Sequence, residues 1–272
     1  MKKQIIILIC FVVSTVMQAQ ETGDYLYFNV GGGLHNLSYT LQNGTESGKT
    51  GYTLNLAYSH FFTPQWGIQS GIGVQSFTTI TTLNLTESTP AIDSEGDSYV
   101  FRSDFRNWQE NQQVVFFDIP VTGQFKYRIN TKMGLLVTAG AKISIPLKAT
   151  YKSTGGEIIT SGFYPQWNIE LTDLPQQGFK TITQPYTGKY TLNPAYTAIV
   201  ELGEIYKLSE KIEVYAGAYF NYGLNNILKP ETGMLYQVDG TYSGVWKSNQ
   251  TSDIKPFAIG LKLGLYLKQG KK

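Results

Sequence analysis

Beyond residue 20 the sequence has no cysteine, only two histidines and no long hydrophobic run. The single cysteine, Cys10, lies in the first 19 residues, so disulfides and thiolate catalysis are excluded for residues 20–272. No stretch after residue 20 resembles a transmembrane helix, which needs about 20 consecutive apolar residues. A membrane protein of this composition would have to cross the bilayer with strands.

The chain also lacks an excess of either charge. Removing Lys2 and Lys3 with the N-terminal segment leaves 20 of the 22 basic residues, which balance the 20 acidic ones. A near-neutral chain does not indicate a nucleic-acid partner, because such partners are recognised through clustered positive charge.

Residues 1–19 have the three parts of a secretory signal peptide. Lys2 and Lys3 form the basic part, Ile5–Val13 the apolar part and Ser14–Ala19 the small and polar part. We therefore predict cleavage after Ala19 and export of residues 20–272. Cys10 follows Ile9 rather than a small residue, which disfavours a lipoprotein.

What the chain has in abundance is strict alternation, seen best in the stretch Val114–Leu147. Apolar residues from Phe117 to Tyr127 and from Leu135 to Leu147 fall on one face, and polar residues fall on the other. A period of two predicts strands. The polar residues Asn130–Lys132 predict the turn between two arms, each much longer than the usual strand of about 5–6 residues.

The same pattern predicts six further strands. Their predicted ranges are 24–39, 51–62, 66–80, 190–206, 211–224 and 255–268. Short turns are predicted at 63–65, 130–132 and 208–210, and loops at 42–49, 81–112, 150–187 and 226–253. Short connections therefore alternate with longer ones along the whole chain.

This organisation predicts an all-β fold, a transmembrane antiparallel up-and-down barrel of eight strands with short periplasmic turns and long extracellular loops. A possible extra hairpin near Ile158–Ile169 keeps ten strands open as an alternative. A secreted soluble sandwich or lipocalin-like barrel is the competing fold. The uniformly apolar outward face and the Gly, Thr, Ser, Asn, Lys and Glu of the inward face disfavour it.

Four segments resemble a known family. They are Ala19-Gln20, Asp118-Ile119-Pro120-Val121, Tyr219–Ile227 and Gly260–Leu265. Together they resemble the PorT-like outer-membrane β-barrel family and, more broadly, the eight-stranded OmpA-type barrel. The resemblance implies location in the cell outer membrane and a link to protein secretion, and it supplies no shared catalytic residues. The chain ends directly after the last predicted strand, so we expect no peptidoglycan-binding domain after the barrel.

The predicted inward face carries six charges: Asp118, Lys126, Lys142, Glu201, Glu213 and Lys262. Asp118 and Lys142 lie twelve residues on either side of Asn130, so we predict that they are directly opposed. We expect Glu201 near the same level. Such a network would plug the lumen of an eight-stranded barrel, which is barely wide enough for side chains. A small gated ion pathway is the alternative.

Other candidate sites lie at strand ends and in loops. His35 points inward near the extracellular end of the first strand and is the better catalytic candidate, although no Ser or Asp partner is evident by spacing. Asp93, Glu95 and Asp97 offer alternate carboxylates for Ca²⁺, with solvated loop charge as the other interpretation. Gly260, Leu263 and Leu265 match the signal read by the barrel-insertion machinery. Trp108, Trp167 and Trp246 either form a recognition surface for a protein or glycan or pack the loops together.

These observations favour an outer-membrane barrel with a structural or surface-binding role, in contact with lipopolysaccharide and with no cofactor. A narrow channel and a secretion-apparatus component are alternatives. A lipid-modifying enzyme is the least favoured reading, and we predict that the protein is not an enzyme.

Overall fold

A computed structural model of the chain describes residues 23–229 and 233–269. The predicted signal peptide, residues 1–19, lies outside this range. The described residues form eleven strands: β1 Gly23–Leu41, β2 Thr45–Phe61, β3 Trp66–Ile92, β4 Ser98–Arg128, β5 Met133–Tyr164, β6 Ile169–Leu171, β7 Thr181–Ile182, β8 Thr187–Lys189, β9 Ala195–Lys207, β10 Ile212–Gly223 and β11 Thr251–Lys268. Two short 3-10 helices, Pro175–Gln177 and Val245–Lys247, lie in the long connections. No helix among the described residues is long and apolar enough to cross a membrane.

Eight of these strands close into an antiparallel ring. The order is β1, β2, β3, β4, β5, β9, β10 and β11, and β11 pairs back to β1 from Tyr25↔Lys268 to Leu41↔Thr251. The eight-stranded barrel predicted from the sequence is confirmed. The extra segments β6, β7 and β8 pair only with the outer part of β5, so they do not enlarge the ring to ten strands.

Side-chain facing in the ring follows the predicted alternation. Large apolar residues point outward and stay exposed, as do Leu26, Phe28 and Val30 on β1, while Tyr27 and Asn29 between them are buried. On β5 this exposed apolar face runs from Met133 to Leu147. The outward apolar residues form a belt around the barrel, which is what hydrocarbon requires. The ring is therefore a transmembrane β-barrel.

Three strands continue far past the belt. On β5, residues 148–164 lie beyond it; at about 3.3 Å per residue and a tilt of about 40°, they project on the order of 40 Å from the membrane. We call residues 76–116, 148–194, 224–229 and 233–250 the extracellular head. They lie on the side opposite the short turns at 62–65, 129–132 and 208–211.

The predicted loops at 42–49 and 81–112 were largely wrong. Only residues 42–44 connect β1 to β2, and only residues 93–97 connect β3 to β4. The head was missed because its alternation is inverted. Tyr99, Phe101 and Phe105 are buried inside while the residues between them face water, which is the polarity of a soluble sheet.

A β-bulge at Asn107 marks this change on β4. The register with β3 and β5 shifts there, and Asn107 has a φ of 47°. Below the bulge the buried positions are even-numbered, as at Trp108 and Asp118. Above it they are odd-numbered, as at Phe105. One extra residue thus moves every side chain above it to the other face.

Candidate functional site

The lumen holds three buried ion pairs. Lys142 Nζ lies 2.6 Å from Asp118 Oδ2, and Lys126 Nζ lies 2.5 Å from Glu213 Oε2. Lys262 Nζ donates a hydrogen bond to Glu201. All six residues predicted to face inward are found inside the barrel, and they form separate pairs instead of one network.

The predicted register of the central hairpin was wrong by two residues. Asp118 is directly opposite Ser144, and Lys142 is opposite Pro120. The turn is centred at residue 131 and not at Asn130, because Arg128 pairs with Gly134. Lys142 still reaches Asp118 because diagonal neighbours on one face lie within the span of a long side chain. Glu201, which we expected near the same level, is instead opposite Thr138, four residues from Lys142 along β5, and it bonds to Lys262.

Aromatic rings fill much of the remaining lumen. Tyr27 stacks on Tyr266 with ring centroids 4.0 Å apart. Lys262 Nζ lies 5.0 Å from the ring centroid of Tyr219, and Lys126 Nζ lies 5.1 Å from that of Tyr25. Cation–π contacts of this kind stabilise a buried ammonium beyond its carboxylate partner. Charged pairs and rings together occupy the interior of the barrel.

His35 is held in a structural role inside the lumen. Its Nδ1 lies 2.7 Å from the carbonyl oxygen of Ser76, so Nδ1 donates, and Nε2 lies 2.5 Å from the hydroxyl of Tyr219. Both ring nitrogens are therefore occupied, and neither is placed to activate a nucleophile. His60, at the periplasmic rim, bonds through Nδ1 to Asp24 Oδ1 at 2.6 Å.

The Asp93–Asp97 segment forms the turn between β3 and β4. Asp93 Oδ1 accepts from the backbone N–H groups of Glu95 (3.0 Å) and Asp97 (2.9 Å), and Asp93 Oδ2 accepts from the Tyr164 hydroxyl. The N–H of Asp97 holds the pKa of the Asp93 carboxyl below its usual range. Among the described residues no group of three or more acidic or histidine side chains could hold a metal ion. Asp93 is thus engaged in shaping the turn.

Gly260, Leu263 and Leu265, the predicted assembly signal, lie on β11 at the seam with β1. Leu263 and Leu265 belong to the exposed belt. A Cβ on Gly260 would lie 2.2 Å from the carbonyl oxygen of Gly32. Glycine is therefore required at position 260 by the close approach of the strands that close the ring.

The head has its own hydrophobic core, built mainly from aromatic side chains. Its members include Phe101, Phe105, Trp108, Phe116, Tyr151, Tyr164, Phe179, Tyr190, Tyr236, Tyr242 and Trp246. Trp108 and Trp246 are buried, so these two tryptophans pack the connections together, whereas Trp167 is 59% exposed. The long connections are folded onto the sheet and do not form open loops.

Glu110 lies at the centre of this core, and no described lysine, arginine or histidine forms an ion pair with it. Its carboxylate accepts hydrogen bonds from the Tyr190 hydroxyl, the Tyr242 hydroxyl (2.8 Å), Gln112 Nε2 (2.9 Å) and the Val245 N–H (3.2 Å). Tyr190 follows β8, and Tyr242 and Val245 belong to the connection before β11. Glu110 therefore ties two connections to strand β4.

Sequence reasoning missed Glu110 because residues 81–112 were read as a loop. The signal was present, however. Extending the alternation backward from Asp118 in steps of two passes through Phe116, Val114 and Gln112 to Glu110, all on the inward face. An acidic residue in an inward row, outside the belt, indicates a buried hydrogen-bonding centre.

We expect the stability of the head to depend on pH through Glu110. Burial raises the pKa of its carboxyl above the ordinary value of about 4.3. A carboxyl whose pKa is higher in the folded state than in the unfolded state stabilises the fold fully at pH values below its unfolded-state pKa. This stabilisation is lost as the pH rises through the folded-state pKa. Proteolysis of the head should therefore be slower near pH 4 than near pH 8.

The matched control for this pH effect is Glu110→Gln, which keeps an acceptor oxygen but cannot titrate. Burial also raises the pKa of Glu87, which binds Leu235 and Gln250 in the head, so the variant should show a reduced slope and not a flat one. An unchanged pH profile in Glu110→Gln would refute the assignment to Glu110.

A cavity of about 370 Å³ lies at the outermost end of the head. Its walls combine the aromatic residues Tyr99, Tyr164 and Phe179 with polar groups of Asp93 and Gln177. Tyr99 stacks on Tyr164 at 5.3 Å and meets Phe179 edge-on at 5.7 Å, which makes a fixed wall. The described residues that line the cavity include no lysine or arginine. Its size falls in the range of small-ligand sites, about 300–1,000 Å³.

No family of known proteins matches the chain, and no curated protein matches it. Among solved structures, the attachment invasion locus protein Ail of Yersinia pestis, crystallised with the heparin analogue sucrose octasulfate, is 11% identical with a TM-score of 0.34. That alignment covers 92% of this chain and 100% of Ail.

Two other solved structures are similar at the same level. Neisserial surface protein A is 9% identical with a TM-score of 0.37, covering 92% of this chain and 100% of that one. The translocator domain of the autotransporter NalP from Neisseria meningitidis is 12% identical with a TM-score of 0.26, covering 98% and 96%. The assignment of the fold rests on the strand pairings described above.

Proposed function

We propose that this protein is exported by its signal peptide, inserts into the outer membrane and presents a ligand-binding head at the cell surface. The observation that carries this proposal is the contrast between the two halves of the molecule. The lumen is filled with paired charges and stacked tyrosines, while the head is a folded unit with a cavity at its tip. A projecting, preorganised head favours a role in recognising a partner over a role in conducting ions.

The surroundings of the tip cavity favour binding as well. Ile92, Val238 and Trp167 are exposed apolar side chains at this end of the head. Ile92 and Val238 line the cavity, and Trp167 packs against Tyr164 at 5.5 Å. Exposed apolar and aromatic groups around a cleft are typical of binding sites. A protein or glycan at the extracellular head is therefore the proposed partner.

The PorT-like resemblance remains part of this proposal. In the segment Asp118–Val121, which carries part of this resemblance, Asp118 pairs with Lys142 inside the barrel and Val121 points outward in the belt. These residues therefore have a structural role in the barrel. A role in a secretion apparatus would use the same anchored head to contact other components. A narrow channel predicts stepwise conductance in planar bilayers, whereas the filled lumen predicts none.

Filling the tip cavity should abolish binding. Gln177→Trp places a large side chain into the cavity, and Gln184→Trp adds the same residue at an exposed position away from it. The full chain in nanodiscs would be applied to an array of neutral oligosaccharides and extracellular-matrix proteins. We expect retention of wild type and of Gln184→Trp on at least one component, and roughly a tenfold or greater loss for Gln177→Trp, about 1.4 kcal/mol.

Two outcomes would contradict the proposal. One is the absence of retention on every component of the array. The other is equal retention of the two tryptophan variants, which would show that the tip cavity takes no part.

A further inference from the structure

Three lysines form a cluster on the outer surface just above the apolar belt. Lys148 and Lys152 lie on β5 and Lys189 lies on β8, and all three are exposed. Ala149, Tyr151 and Ser153 between and beside them are buried, so the lysines on β5 point away from the barrel and the head core. The cluster therefore faces sideways, toward the surrounding membrane.

The strand register brings the three lysines together. Thr150 is directly opposite Lys189, and Lys152 is opposite Thr187. Lys148 and Lys152 are thus about 13 Å apart along the strand, with Lys189 beside their midpoint on a strand about 4.8 Å away. Three flexible ammonium groups can converge on one anionic group at this spacing.

No carboxylate within the described part of the chain forms an ion pair with this cluster. None of the three lysines forms an ion pair with a described residue, although Lys255 on β11 pairs with Asp253 at 2.8 Å. The outward positions Ser38 on β1, Thr78 on β3 and Gln113 on β4 are uncharged. At a similar height, β2 carries one exposed lysine, Lys49, and β11 carries Lys255 opposite Ser38. The patch on β5 and β8 therefore differs from the rest of the rim in holding three lysines close together.

The surface directly below the cluster is suited to acyl chains. Ile143, Ile145 and Leu147 on β5 point outward, with Leu147 62% exposed, and Tyr196 on β9 lies opposite Ile143. A ligand covering both areas would have an anionic head at the height of the lysines and hydrocarbon chains against the belt. A soluble anion would match only the upper half.

We propose that Lys148, Lys152 and Lys189 bind the phosphate groups of an acylated, phosphorylated glycolipid in the outer leaflet. Lysine ammonium groups bind phosphate as point charges, and a basic residue near an anionic lipid surface contributes about 1 kcal/mol. This inference rests on the outer-membrane location of the proposed function. It adds a lipid site that is separate from the tip cavity.

The test compares the full chain in nanodiscs that contain either diphosphorylated lipid A or the same lipid after phosphatase treatment. Lipid bound per barrel would be measured by native mass spectrometry for wild type and for K148Q/K152Q/K189Q. The control K132Q/K180Q/K211Q removes the same charge at exposed lysines elsewhere. We expect retention of the phosphorylated lipid to fall roughly fivefold per lysine, on the order of a hundredfold for the triple variant, and to stay unchanged in the control.

The site would be refuted by equal retention in wild type and K148Q/K152Q/K189Q, or by retention that does not depend on phosphate. Trypsin treatment of intact cells separates this failure from failure of the proposed function. If the head is cleaved on intact cells, the outer-membrane location stands without the lipid site. If the chain fractionates with another membrane, both proposals fail.

Discussion

Glu110→Ala should release the extracellular head while leaving the barrel in place. The substitution removes the carboxylate that the Tyr190 and Tyr242 hydroxyls and the Val245 N–H share. Each buried donor left without an acceptor costs about 1–3 kcal/mol, so a loss of about 3 kcal/mol or more is expected in the head. Hydrogen exchange of Val245–Lys247 would report the release directly.

The barrel provides the internal reference for this experiment. Glu110 lies outside the belt, so exchange at β10 and β11 and the heat-dependent gel shift of the barrel should match wild type. Glu110→Gln should retain most of the protection because its amide oxygen still accepts. Unchanged exchange at Val245–Lys247 in Glu110→Ala would show that the aromatic core alone holds the head closed.

Asp118→Ala should destabilise the barrel itself by about 3–5 kcal/mol, because it leaves the Lys142 ammonium buried with only the neutral Gln75 as a partner. The urea midpoint of the refolded barrel in micelles measures the effect. Glu210→Ala is the matched control, since it breaks an exposed pair with Lys207 at 2.9 Å that is worth at most about 1 kcal/mol.

The double variant Asp118→Ala with Lys142→Ala distinguishes two causes of the lost stability: an unpaired buried ammonium on Lys142, or the loss of a favourable contact. Removing the ammonium as well should recover part of the stability lost in Asp118→Ala. If the single and double variants unfold at the same urea concentration, or if Asp118→Ala matches Glu210→Ala, then the pair does not stabilise the lumen.

The sequence predicts the membrane-spanning part well because one physical rule controls it. Residues such as Leu26, Phe28 and Val30 must face hydrocarbon, and period two then puts Tyr27 and Asn29 inside. The same parity identifies the six lumen charges. It does not fix which of them pair, because pairing depends on register and on how the strands tilt around the ring.

The head was harder to predict, since its strands have folded connections on one face and water on the other. Phe101 and Phe105 are buried against folded connections, which the sequence cannot place. Asn107 adds one residue and interrupts the alternation that would otherwise have linked these positions to Asp118. Glu110 shows no cationic partner in the sequence because its partners are hydroxyl and amide groups from distant segments.

The bulge at Asn107 divides strand β4 into two parts, and the alternation of inward and outward side chains is set independently in each part. The bilayer sets the inside–outside phase below it, and the aromatic core sets the phase above it. Segments added or lost beyond Asn107 would reshape the projecting part without turning Asp118 toward lipid. A protein built in this way can change what it meets outside the cell while its anchor stays the same.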